Sequence, residues 1–290
     1  MKMRIRITAL VVILLMALLY IGCGGAADSA QTQAPEPEPT LQGEILIAVA
    51  ASLQNAFEGD LIPLFNKEYP DVKIVGTYDG SGKLQTQIEE GLAADLFFSA
   101  ATKQMDALIE GGFIDGATVV NLLENEVVLI AGTDIDTAVT GFENIDEAAG
   151  IAIGDPASVP AGQYAEEILT SLGSWDEIEK RASLGTNVSE VLNWVAEGSA
   201  EVGIVYMTDA RSMEDRVRVI AVAPEMALKT PVVYPVGLSA DIGGQAEAAE
   251  AFFSFLKSPE AAYVFTGYGF KTLYMEGPPI TGSMADQQAN

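Results

Sequence analysis

From Glu44 onward, short apolar runs alternate with stretches of helical period, and this alternation limits the fold more than any other feature of the chain. Ile45 to Ala50, Val72 to Tyr78, Asp95 to Ser99, Val127 to Ala131, Ile151 to Ile153, Glu201 to Tyr206, Val217 to Val222 and Val232 to Leu238 have the length and apolar character of strands. Between them Leu53, Phe57, Leu61, Leu64 and Phe65 recur at helical spacing as far as Tyr69 and Pro70, and Leu84 and Ile88 mark a shorter helix that stops at Gly91. Further helices are predicted over Thr102 to Glu110, Pro160 to Leu172, Val188 to Glu197, Gln245 to Lys257 and Pro259 to Phe265. Pro160 suits a first helical position because its ring presets φ. The pattern predicts an α/β protein with parallel or mixed sheets covered by helices, and the chain is long enough for two such lobes.

Composition removes whole classes of function. The chain is 49% hydrophobic, enough for a sizeable core, and carries 15 basic against 41 acidic residues, a net charge of −26. A nucleic-acid binder needs a basic footprint, so none is expected. There is no histidine and only one cysteine. Histidine-based triads, histidine-bearing zinc sites and Cys-x-x-Cys redox chemistry are therefore absent.

Residues 1–22 read as an export signal: Lys2, Arg4 and Arg6 precede an apolar run from Ile7 to Ile21, and Gly22 stands before Cys23. The run is short for a membrane span of roughly 20 residues. Cys23, the single cysteine, sits where a bacterial lipobox would place the lipidated residue, although Tyr20 stands where that pattern usually has leucine. Residues 23–43 are small, polar and proline-spaced, and read as an extended tether. The expectation is an exported, lipid-tethered cell-envelope protein whose folded body begins near Glu44.

In open α/β sheets ligands collect beyond the carboxyl ends of strands, where helices begin. Four such junctions share one character: Ala50 to Leu53, Asp79 to Lys83, Asp155 to Gly162 and Gly185 to Ser189 are rich in small and hydroxylic residues, with Ser52 at the expected cap of its helix. A helix start exposes unpaired N–H groups and about half a positive charge. Several converging starts would hold an anion without any cationic side chain.

Other motifs fail on inspection. The run 80–84 (GSGKL) imitates a phosphate loop, but Thr77 replaces its first glycine and Leu84 stands where Ser or Thr must bind magnesium. Ser254 and Lys257 match Ser-x-x-Lys without the accompanying β-lactamase elements, and Asp134 and Asp136 lack EF-hand spacing. Tyr206 on its own reads as a half-buried strand tyrosine.

The segments 48–56 (AVAASLQNA), 84–89 (LQTQIE), 94–100 (ADLFFSA), 154–164 (GDPASVPAGQY), 203–206 (GIVY) and 268–270 (YGF) resemble, in order, the molybdate-binding proteins of ATP-driven importers. The resemblance spans about Glu44 to Leu273. It implies a type II periplasmic-binding-protein fold: two α/β lobes, two crossing strands as hinge and a cleft that closes on ligand. The crossovers would fall near Asn125 and Pro235, giving lobe 1 as 44–125 plus 236–290 and lobe 2 as 126–235. Carried over by motif, Ser52 and Ser81 would contact the oxyanion through hydroxyl and backbone N–H, Ala161 and Val188 through backbone N–H, and Tyr206 through its hydroxyl. The metal of the ligand would be touched only through its oxygens. Family members are often serine-rich around Ser81, where this chain has Asp79, Gly80 and Gly82.

The resulting expectation is a monomeric receptor for molybdate or tungstate that uses no cofactor, catalyses nothing and delivers its ligand to an ABC permease. A shell made only of donors disfavours hydrogen phosphate, whose proton needs an acceptor. A phosphate or sulfate receptor is the alternative within the class, with Asp79 as the acceptor to inspect. An exported hydrolase using Ser81 and Lys83 is the rival from another class. An adhesion or scaffold module would have neither cleft nor small ligand.

Overall fold

The protein is described here by a computed structural model covering residues 41–276. The expected signal segment, Cys23 and most of the expected tether lie outside the described residues.

The chain enters at β1 (Gly43–Ala50) and passes without a turn into the helical segment α1 (51–68). This segment is a composite of a 3₁₀ turn at Ala51–Leu53, one α turn, a widened π stretch at Phe57–Leu61 and an α-helix at Ile62–Glu68. Pro63 has no N–H to close an α turn onto Gly59, and the widened stretch falls just ahead of it. There follow β2 (Val72–Asp79), α2 (Ser81–Glu89), β3 (Leu96–Phe98), α3 (Thr102–Glu110), β4 (Val120–Asn125), β5 (Val127–Gly132), β6 (Ile151–Gly154), α4 (Pro160–Ser171), α5 (Trp175–Ile178) and β7 (Ser183–Gly185). The chain continues through α6 (Val188–Ala196), β8 (Val202–Tyr206), α7 (Met207–Ser212), β9 (Val217–Val222), β10 (Val232–Leu238), α8 (Ala246–Leu256), α9 (Pro259–Gly267) and β11 (Lys271–Thr272).

Two mixed sheets result. One runs in the order β11-β4-β10-β3-β1-β2, the other β7-β6-β8-β5-β9. Within the first, β1 is parallel to both β2 and β3, whereas β10 runs antiparallel to β3 and β4. Within the second, β6 is parallel to β7 and β8, and β5 is antiparallel to β8 and β9. The parallel strands thus end on the same side of each sheet, and the helices that follow them start there. This is the mixed-sheet, two-lobe architecture of the periplasmic binding proteins.

The chain leaves the six-stranded sheet at Asn125 and enters the five-stranded one at Val127. It returns through 223–231, because β10 already belongs to the six-stranded sheet at Val232, which pairs with Asn125. The second boundary therefore lies ahead of Val232 and not at Pro235. Pro235 sits inside β10 beside a register shift, where a missing N–H is tolerated.

Phe57, Phe65, Phe98, Phe252 and Phe265 fill the first lobe behind β1 and β3, with Phe65 and Phe252 edge to face at 5.0 Å. The second lobe closes over Leu129, Ile130, Ile153, Ile168, Leu169, Val191 and Ile204, all fully buried. Burying side chains of this size contributes roughly 1.5–3 kcal/mol each. These cores hold the strand ends still where the site is built.

Candidate functional site

Five chain segments bring their strand ends to one place. Ala50 caps the turn that carries Ser52, Gly80 precedes Ser81 at the first position of α2, and Val159 precedes Pro160 and Ala161 at the start of α4. None of these three capping residues offers a side-chain acceptor to its helix. Of the first-turn N–H groups, which have no acceptor within a helix, that of Gly82 is taken by the Ser158 carbonyl and Pro160 has none; those of Ser52, Ser81 and Ala161 belong to residues that line the space between the lobes. At α6 the cap is Asn187, whose side chain accepts from the Glu190 N–H, while Val188 is the first helical residue. Tyr206 ends β8 and opens α7. Ser52 itself is not a cap, because β1 runs to Ala50 and the helical turn begins at Ala51, two residues earlier than a cap at Ser52 would place it.

Ser52, Ser81, Ala161, Val188 and Tyr206 all line a single small cavity. Ser52 and Ser81 come from the six-stranded sheet, and the other three from the five-stranded sheet. The only charged residue in the lining is Asp79; Ala50, Ala51, Gly80, Ala100, Val159 and Pro160 complete it.

Each hydroxyl is set differently. Ser81 is fully buried, and its Oγ accepts the Ala100 N–H at 3.0 Å, which leaves its own proton to be given elsewhere. Ser52 Oγ lies 3.0 Å from the hydroxyl of Tyr234. The Tyr206 hydroxyl is buried and has no hydrogen-bond partner among the described residues. Burial, reinforced by the neighbouring Tyr234, pushes its pKa well above the ordinary tyrosine value, so it remains a donor. Asp209 lies behind it, also buried, accepting the Tyr206 N–H at 3.2 Å, and desolvation pushes its carboxyl up to about 7.

Asp79 faces the cavity but its oxygens are engaged. Oδ1 accepts the Gly80 N–H at 2.9 Å and the Asn187 side-chain amide at 3.4 Å, and Oδ2 pairs with Lys83 at 2.5 Å. The Lys83 side chain is 49% exposed. It is spent on Asp79 and does not supply the buried amine that the hydrolase reading needs at Ser81.

The lobes touch across the cleft mouth. Gly82 donates its N–H to the Ser158 carbonyl at 2.8 Å. A Cβ at Gly82 would come 2.6 Å from that carbonyl oxygen, and one at Gly80 would come 2.8 Å from the Thr186 carbonyl oxygen. Both glycines are there for close backbone approach, which only Gly permits. Gln104 of α3 also donates to Gln163 of α4 at 3.3 Å. Among the described residues, no group of three or more His, Cys, Asp or Glu could hold a metal ion directly.

Sequence reasoning missed the residues behind the lining. Asn125, Tyr234 and Asn187 act through contacts that are distant along the chain; Ser52 and Tyr234 are 182 positions apart. The only legible signal was the position of Asn125 at a strand crossing.

The model for the family of bacterial extracellular solute-binding proteins matches residues 45–271. YvgL of Bacillus subtilis, whose name assigns it to the ABC transporter substrate-binding lipoproteins, is 39% identical over 226 residues, covering 78% of this chain and 85% of YvgL. The molybdate-binding protein ModA of Escherichia coli is 38% identical over 236 residues, covering 79% of this chain and 89% of ModA. In architecture the chain is similar to the periplasmic molybdate-binding protein of Azotobacter vinelandii, with a TM-score of 0.67 at 22% identity over 78% of this chain and 98% of the other. Two lobes with a small donor-lined cavity between them, and a family match over most of the folded body, lead to one conclusion: the chain belongs to the bacterial extracellular solute-binding proteins.

Proposed function

We propose that this protein is the extracytoplasmic receptor of an ABC importer and that it binds molybdate or tungstate between its lobes. The observation that carries the reading is the meeting of Ser52, Ser81, Ala161, Val188 and Tyr206 in one small cavity without a lysine or arginine in its lining. In this reading the Ser52 and Ser81 hydroxyls and N–H groups, the Ala161 and Val188 N–H groups and the Tyr206 hydroxyl surround a tetrahedral dianion. Hydrogen bonds to an ion are roughly twice as strong as neutral ones. Uncharged donors also leave no buried cation unpaired when the cleft opens to release its ligand. The 38% identity to ModA supports molybdate as the ligand class.

The same reading takes Cys23 as the lipidated residue that tethers a monomeric body to the membrane, an ABC permease as the acceptor of the ligand, and no cofactor. It also takes the protein to be a carrier and not a catalyst; Ser81 Oγ accepts the Ala100 backbone N–H and not a bond from a basic side chain. Asp79 is tied to Gly80, Asn187 and Lys83, which argues against its serving as the proton acceptor for phosphate. Sulfate is smaller than the two metal oxyanions and would be held loosely in a seat shaped for them.

Thermal melting of the mature domain with molybdate, tungstate, sulfate and phosphate tests the reading. At about 100 times its dissociation constant a ligand adds roughly 2.7 kcal/mol, or about 5–10 °C for a chain of this size. Molybdate and tungstate should produce that shift and the others little. Equal melting in all four salts at matched ionic strength would contradict it.

A further inference from the structure

We infer that Tyr234 and Asn125 are positioning residues that hold the Ser52 hydroxyl as a donor toward the anion and so set selectivity against protonated oxyanions. The inference rests on the reading of the cavity as an oxyanion seat. Neither residue lines that cavity; both act through Ser52.

The direction of the hydrogen bonds follows by elimination. The Glu126 N–H can only donate, and it reaches Asn125 Oδ1 at 2.9 Å, so the other end of that side chain is the amide nitrogen. That nitrogen donates to Thr208 Oγ1 at 2.9 Å and to the Tyr234 hydroxyl at 3.2 Å. Tyr234 is fully buried, and its hydroxyl meets two partners, Asn125 and Ser52 Oγ at 3.0 Å. Since Asn125 fills an acceptor position and the neighbouring Tyr206 hydroxyl is not in hydrogen-bond geometry with the phenol, the phenolic proton goes to Ser52; otherwise it would be buried unpaired, at a cost of roughly 1–3 kcal/mol. Burial also pushes the phenol well above its ordinary pKa, so the proton stays in place. Ser52 Oγ, already accepting, has its own proton left for the cavity. Ser81 is polarised in the same sense by the Ala100 N–H.

The chain of bonds also has a fixed origin. Asn125 is the last residue of β4, at the crossing between lobes, and Thr208 lies in α7 of the opposite lobe. Tyr234 stands beside the register shift of β10, where a strand re-aims its side chains. The seat therefore offers a hydroxyl that cannot readily turn to accept. Hydrogen phosphate needs one acceptor for its proton, and a fully deprotonated anion needs none.

The test compares Tyr234→Phe, Ser52→Ala and the double variant by calorimetry with molybdate and by competition with phosphate. In Tyr234→Phe the Ser52 hydroxyl is free to rotate and accept. Molybdate affinity should fall about tenfold and the phosphate-to-molybdate ratio of dissociation constants should shrink by at least that factor. In the Ser52→Ala background, Tyr234→Phe should change the ratio no further. A variant that lowers affinity for both anions equally, or an undiminished effect of Tyr234→Phe without Ser52, would overturn the inference. Asn125→Ala, which frees the phenol to turn, should narrow the ratio in the same direction and provides a second variant if Tyr234→Phe melts below working temperature; an unchanged ratio there counts against the inference. Failure of the unaltered protein to bind molybdate would instead remove the oxyanion reading itself.

Discussion

At the scale of single residues, stability and binding oppose each other at Tyr206. Its hydroxyl is buried and without a hydrogen-bond partner among the described residues, an arrangement that costs the free protein roughly 1–3 kcal/mol. Tyr206→Phe should therefore raise the melting temperature of the free protein slightly while lowering oxyanion affinity about 10- to 100-fold, read by calorimetry on the same sample. A variant that loses both stability and affinity would mean the hydroxyl has a structural partner instead. Asp209 gives a pH signature. Desolvation pushes its folded pKa up to about 7, above the ordinary value for an aspartate. Between about pH 4 and 7 the folded protein keeps a proton that the unfolded chain releases, so this carboxyl's contribution is present at low pH and is lost as pH rises through that window. Asp209→Asn, which stays neutral and can still accept the Tyr206 N–H, should flatten the slope of stability against pH there; an unchanged slope would contradict the assignment.

At the scale of elements, the strand-to-helix junctions carry both the fold and the site. Most were legible because a buried strand and a helix start are written in local sequence: β9 and β10 begin and end where their apolar runs do, and Pro160 opens α4 as its fixed φ indicates. β4 was not legible, since only Glu126 separates it from β5 and the pair lacks a turn signal between them. The exposed, three-residue β7 and the four-residue α5 offer too little periodicity to read. The five lining residues were reached through junction chemistry and motif together, and Tyr206 through motif alone. Asn125 and Tyr234 were out of reach because their partners come from the other end of the chain. The α2 junction also makes a prediction of its own. Gly82→Ala would place a methyl 2.6 Å from the Ser158 carbonyl oxygen, a backbone atom that cannot step aside. Closure across the cleft should be obstructed and affinity lowered about tenfold or more, with each lobe's own core untouched and the free protein's melting little changed. Wild-type affinity in this variant would show that the Gly82–Ser158 contact is not part of the bound form.

At the scale of the molecule, a chain at −26 reads as a receptor for a dianion, and range reconciles the two. Charges more than about 8 Å away are largely screened at physiological salt, whereas donors in contact act in a drier, weakly screened cleft. The long-range repulsion should still be visible in kinetics. Raising salt from 10 to about 150 mM should speed association by stopped-flow while leaving dissociation nearly unchanged. A rate that falls with salt would instead indicate attraction by a local basic patch. The most direct test is a crystal structure grown with molybdate and phased on the metal's anomalous signal. It should show one molybdenum in the cavity with its oxygens about 2.6–3.2 Å from Ser52, Ser81, Ala161, Val188 and Tyr206 and no lysine or arginine in contact. A metal seated elsewhere, or held by a cationic side chain, would contradict an anion seat made of uncharged donors from both lobes.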